Sequence, residues 1–176
     1  RKIAVQHHHA HAAAAMAERG IDGPALAVVF DGIGYGTDGA LWGGEFFLAR
    51  YEGFERLAAL GYVPLPGGEA AIREPWRMAL AHLRTVYGDA VLDMDLPRPI
   101  SFEGLPAKEV LAIVKRGINS PLASSMGRLF DAVAFLLGFD AFVSYEAEAA
   151  VALEALALEA PASRDVFAFE WKTGPR

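Results

Sequence analysis

The chain contains no cysteine, which excludes disulfides, thiolate zinc sites and a cysteine nucleophile; a bound metal would need nitrogen and oxygen ligands. Side-chain amides are almost as scarce, with Gln6 and Asn119 standing alone, a pattern that fits either a heat-stable protein or a GC-rich coding bias. Basic charge is also short. Lys and Arg number 16 against 22 Asp and Glu, a formal net charge of −6, and no basic stripe offers itself to nucleic acid. No apolar run approaches the ~18 residues of a membrane span. No secretory leader is visible either, so a cytoplasmic location is expected. The chain opens on Arg1 rather than Met, and a fragment or processed product is therefore expected. Apolar side chain is what the sequence does supply: 53% hydrophobic residues over 176 positions and a mean hydropathy of +0.24. That is enough for one core in a mixed α/β interior, and it excludes disorder.

The order of segments predicts the architecture. Residues 2–6 read as a short strand and 9–19 as an alanine-rich helix stopped by Gly20. Residues 26–30 form an apolar strand ending at Asp31, and Gly32, Gly34, Gly36 and Gly39 then suggest a flexible turn. Two further strands, 41–50 and 54–63, complete an antiparallel meander. Pro75 opens a helix, residues 89–104 read as a linker or lid, and helices are expected at 106–116, 121–137 and 144–159, with a last strand at 165–170. A meander followed by covering helices is an α+β or mixed α/β lobe.

Four of the five histidines fall in His7-His8-His9-Ala10-His11. On a helix His7 and His11 lie one turn apart and can face one metal ion, whereas His8 and His9 point elsewhere. Asp31, at a strand end, adds a hard carboxylate to these borderline imidazoles, a set suited to iron or zinc with positions left open. The glycines after Asp31 permit close backbone approach to a phosphate, or simply make a hairpin. No Gly-Lys-Ser/Thr follows and a strand rather than a helix comes next, so neither a Walker loop nor a dinucleotide fingerprint is present. Arg73 and Arg77, beside a helix start, suit either an anion or capping and salt bridging. Gly127 sits inside an apolar helix, where it costs about 1 kcal/mol against Ala, and Asp131 lies one turn further on the same face. Leu129, Phe130, Val133, Ala134 and Leu137 are expected to be core.

Taken in order, His7-His8-His9-Ala10-His11, Phe30-Asp31-Gly32 through Thr37-Asp38-Gly39, Trp42-Gly43-Gly44-Glu45-Phe46, Pro64-Leu65-Pro66-Gly67-Gly68, Arg73-Glu74-Pro75-Trp76-Arg77, Ser125-Met126-Gly127-Arg128-Leu129-Phe130-Asp131 and Ser144-Tyr145-Glu146-Ala147-Glu148 resemble the hydrogenase-maturation carbamoyltransferases, the HypF family. Part of the pattern is similar to antibiotic O-carbamoyltransferases and to the synthases of threonylcarbamoyl-adenosine. The resemblance implies an actin-like, ribonuclease H-like ATPase lobe, with residues 1–20 as a remnant of a first lobe and 21–176 as a transferase lobe incomplete at its C-terminal side. It implies transfer of a carbamoyl group from carbamoyl-adenylate, made from ATP with magnesium, to the C-terminal cysteine thiol of a HypE-type partner. It also implies that His7, His11 and Asp31 bind a divalent iron or zinc ion, and that Gly32, Gly34, Gly36, Gly127 and Asp131 contact the nucleotide. Arg73 and Arg77 remain candidates for an anion, and no catalytic residue is assigned. Self-association through the face left open by a missing lobe is expected. A catalytically inactive binding module of this family, or a generic actin-like nucleotide-binding lobe, are the alternative readings.

Overall fold

A computed structural model describes residues 2–97, 100–161, 168 and 170–173. Helix α1 spans His7–Glu18. It begins at His7 because the Gln6 side chain caps it, accepting from His9 N at 3.0 Å. It ends where Gly20 takes a left-handed φ of 63°. The strand expected at residues 2–6 is not formed; these residues run in as irregular backbone to the cap. Among the described residues they have no neighbouring strand to pair with, and a lone extended segment has nowhere to place its backbone hydrogen bonds.

Strands β1 (Ala25–Tyr35), β2 (Leu41–Arg50) and β3 (Gly53–Ala59) form the expected antiparallel meander. Asp31 to Tyr35 continue β1 instead of forming a flexible turn, and the register with β2 shifts between Phe30 and Gly34. This bulge re-aims the strand beside Asp31. The turn itself falls later, where Gly39 has φ 84°.

The segment 54–63 divides into β3 and a two-residue strand β4 (Val63–Pro64), which pairs with β5 (Leu122–Ala123). β5 also pairs in parallel with the start of β2. The order along the sheet is β1-β2-β5-β4, with β3 also on β2, so β1 is an edge among the described strands. Helices α2 (Ala70–Arg73), α3 (Pro75–Tyr87), α4 (Ala107–Lys115), α5 (Met126–Leu136) and α6 (Glu148–Glu159) follow. Residues 88–92 make a 3-10 turn at the start of the expected linker. The strand expected at 165–170 falls on residues most of which lie outside the described ones.

Two apolar clusters hold the lobe together. One joins α3, α4 and α5 around Trp76, Leu80, Val91 and Val110. The other packs α1 on the sheet through Met16, Val29, Trp42 and Phe47. Burying side chains of this size contributes roughly 1.5–3 kcal/mol each. The face of α5 departs from expectation: Phe130 and Leu137 are exposed, whereas Arg128 and Asp131 are buried. Placing an ion pair inward and a phenyl ring outward costs stability, which marks this helix as built for something besides packing.

Candidate metal centre

The capped start of α1 delivers His7 and His11 to the strand end carrying Asp31. His7 Nε2 lies 2.8 Å from Asp31 Oδ2 and 3.2 Å from His11 Nε2, and His11 Nε2 lies 3.9 Å from the same carboxylate oxygen. A triangle with these sides is inscribed in a circle of radius about 2.0 Å. The three atoms would therefore fit a single ion at the usual ~2.0–2.2 Å from imidazole nitrogen and carboxylate oxygen. Both imidazoles are about half exposed, at 52% and 54%, so further coordination positions face solvent.

The surrounding residues fix this arrangement. Gln6 Oε1 accepts from the backbone, so its Nε2 is the donor to Tyr35 O at 2.9 Å and to His8 Nδ1 at 3.1 Å. His8 must then carry its proton on Nε2, which points at Asp31 Oδ2 from 3.5 Å. His8 is fully buried, and this nitrogen has no hydrogen bond. Burial holds its imidazole below the usual value, against the opposing pull of Asp31. A neutral His8 thus places an Nε2–H 3.5 Å behind the carboxylate, where second-layer donors stand at metal sites. His9 points away from this group; its Nε2 donates to Arg50 O at 2.7 Å and anchors α1 to the end of β2. The second oxygen of Asp31 accepts from Gly32 N at 2.7 Å.

The glycines divide. A Cβ at Gly34 would lie 2.6 Å from His8 Cε1 and 2.7 Å from His7 Cδ2, and one at Gly36 would strike the Trp42 indole at 2.1 Å. These two are glycine so that rings can lie on the strand. Gly32 has open space above it and leaves room for a ligand. Gly127 is packed, its Cβ position 2.9 Å from Gly32 Cα, and it brings the N-terminal end of α5 against Asp31–Gly32. The Ser125 hydroxyl seals that contact, donating to Gly32 O while accepting from Arg128 N at 3.0 Å. Asp131 is not presented to solvent; it is 3% exposed and pairs with Arg128 at 3.1 Å. Burial raises its carboxyl to about 6, with Arg128 opposing the shift. Arg77 is committed to Glu74 at 2.7 Å and lies over Trp76, taking the salt-bridge reading. Arg73 is exposed. Neither arginine bonds to the histidine–aspartate group among the described residues.

One cluster went unread in the sequence. Glu45 is completely buried. It accepts from Gly43 N and Gly44 N, from Ser124 Oγ at 2.5 Å and from Arg56 Nε at 2.6 Å. Arg56 continues to Asp38 and Tyr62 and lies 4.0 Å over the Trp42 ring. The available signal was a carboxylate between Gly-Gly and Phe-Phe in an apolar strand.

Comparison with known proteins places this arrangement. Residues 27–175 match the family described as "Carbamoyltransferase, Kae1-like Domain, second subdomain"; α1 and its histidines precede that region. Carbamoyltransferase HypF of Rhodobacter capsulatus is 50% identical over 161 residues, covering 89% of this chain and 21% of its own length. Carbamoyltransferase HypF2 of Cupriavidus necator is 47% identical over 155 residues, covering 88% and 19%. The chain thus spans about a fifth of the length of these relatives. A full-length HypF crystallised in a phosphate- and nucleotide-bound form aligns with TM-score 0.85 at 38% identity, over 98% of this chain and 26% of that one. T. kodakarensis HypF aligns at 0.76 and 40% identity, over 89% and 22%. These likenesses bear out the expected mixed α/β, actin-like class. No described helix is long and apolar enough to cross a membrane. The chain belongs to the HypF carbamoyltransferase family and matches part of its Kae1-like transferase domain.

Proposed function

We propose that this lobe forms one wall of a carbamoyl-transfer site and holds one divalent ion, iron or zinc, on His7 Nε2, His11 Nε2 and Asp31 Oδ2. The convergence of those three atoms, all within 4.8 Å of one another, carries the reading. The orphaned buried nitrogen of His8 behind Asp31 supports it. When bound, the ion would supply Lewis-acid charge for a phosphoryl or carbamoyl oxygen. The chain's own residues do the remainder. Gln6 fixes the His8 ring behind the carboxylate and Gly32 N donates to it, while Gly32 leaves space for a ligand and the positive end of α5 lies beside it, favouring an anionic group. Residues 1–20 we assign to the neighbouring lobe, because they precede the matched subdomain.

The reaction we propose is attack of a cysteine thiolate, at the C-terminus of a HypE-type partner, on the carbamoyl carbon of carbamoyl-adenylate. A carbon–sulfur bond forms, and the carbon–oxygen bond to phosphate breaks with its electron pair leaving on AMP. In the cytoplasm this site would work with ATP and magnesium supplied through the rest of the enzyme. Elemental analysis of protein purified without chelator tests the metal. About one iron or zinc per chain is expected, and loss of it in His7→Ala/His11→Ala. Unchanged content in that double variant would sink the assignment.

A further inference from the structure

Arg128, one of the buried pair on α5, lines a cavity of about 280 Å³ that also touches Ser125, whose hydroxyl reaches Asp31 O on the metal-centre side. Its polar lining is Tyr62, His82, Thr85, Ser124, Ser125 and Arg128; Met78 and Leu129 supply apolar wall. Arg128 is 6% exposed, and its buried Nε has no hydrogen-bond partner among the described residues, only the 3.1 Å contact to Asp131. A guanidinium has five donors and no means of losing its charge, so a buried one with an idle donor gains from an anionic partner. His82 likewise has no partner among the described residues, and its burial keeps it below the usual imidazole value. The opposite wall is rigid: Tyr62 donates to Asp38 and accepts from Arg56, and Ser124 donates to buried Glu45. Such a cavity is preorganised, slightly smaller than those that take drug-sized ligands, and supplied with a cationic donor, Arg128 Nε, that has no hydrogen bond.

We propose that this cavity binds a small oxyanion, the carboxylate or phosphate of a small molecule or chain end, on the Arg128 guanidinium with His82 at its side. This site is separate from the metal centre, sharing only Ser125 with it. Planar guanidinium matches either oxyanion in bidentate fashion. The charged groups that bear on Arg128 are Asp131, in contact, and Glu146 further off; His82 faces the same space. Asp131 competes with an incoming anion for Arg128. Because burial raises its carboxyl to about 6, acid releases Arg128 and protonates His82, and anion binding should strengthen as pH falls.

Titration calorimetry with sulfate and with formate, probes of fixed charge between pH 5.5 and 7.5, tests this. It is run in the His7→Ala/His11→Ala background so that a metal-bound anion cannot contribute and the failure of one site leaves the other standing. Saturable binding is expected, at least about threefold tighter at pH 5.5 than at pH 7.5. Arg128→Met alone would strand Asp131, so the paired Arg128→Met/Asp131→Leu is used; it should weaken binding at least tenfold. Thr85→Phe, on the exposed rim, should block entry without touching the pair. Preference for sulfate assigns phosphate-type ligands, and preference for formate assigns carboxylates. Absence of saturable binding by folded protein, or binding undiminished in both variants, overturns the proposal.

Discussion

Asp131→Asn isolates the balance that α5 sets up. Asp131 is 3% exposed beside Arg128, so burial pushes its carboxyl up while the guanidinium pulls it down. Burial wins, and the carboxyl moves from 3.8 to about 6. Arg128 is shifted downward by its own burial against Asp131, so for both partners desolvation outweighs pairing. Each pKa unit corresponds to 1.36 kcal/mol, and the folded state therefore loses ~3 kcal/mol from this group as it ionises. The sign follows from proton counts: between pH 4 and 6 the native state holds more protons than the unfolded chain, so this contribution falls as pH rises through that window and is constant above it. Asparagine is neutral throughout. The stability of Asp131→Asn relative to the parent should thus improve by ~2 kcal/mol between pH 4 and pH 7, while all other titrating groups cancel in the difference. Urea unfolding of both proteins at four pH values measures this. A pH-independent difference, or one that moves against the variant as pH rises, would show that the ion pair outweighs burial and would refute the reasoning.

Gly34→Ala should fold with a penalty of about 1–3 kcal/mol, because its methyl meets the His7 and His8 rings; metal content should fall with it, and full metal loading would refute a packed histidine layer. Arg56→Met leaves the buried Glu45 carboxylate without its cation and should cost ~3–5 kcal/mol in chemical unfolding. Arg56→Met/Glu45→Gln should recover at least half, and a single variant costing under ~1 kcal/mol would contradict the network. Leu26, Val28 and Phe30 project outward at 69%, 51% and 53% exposure on the edge strand β1. Exposed apolar patches of this kind drive association, so sedimentation should show mass rising with concentration and Val28→Lys/Phe30→Lys should abolish the rise. A parent chain that stays monomeric would remove that reading.

Local chemistry made much of this lobe legible in advance. His7 and His11 at helical spacing, and the apolar run closed by Asp31, are patterns whose meaning depends on neighbours a few residues away. The meander followed from three apolar runs bounded by glycine, for the same reason. By contrast, the phase of α5 could not be read from its own residues. Phe130 and Leu137 look like core and Arg128 and Asp131 look like surface, and only the placement of α3 and the sheet turns the polar pair inward. The glycines show the same limit. A backbone rich in Gly32, Gly34 and Gly36 signals that something must come close, yet whether that is a ligand or a histidine and an indole depends on helices and strands brought in from elsewhere in the chain. His8 and Glu45 owe their importance to contacts 23 and 79 positions away. Sequence by itself determined the His-bearing helix, the meander strands and which donor atoms are available, because hydrogen-bond capacity and hydrophobic period are local properties. Tertiary structure alone decided which donors converge and which charges are buried, because convergence and burial are set by the packing of segments that local pattern does not place.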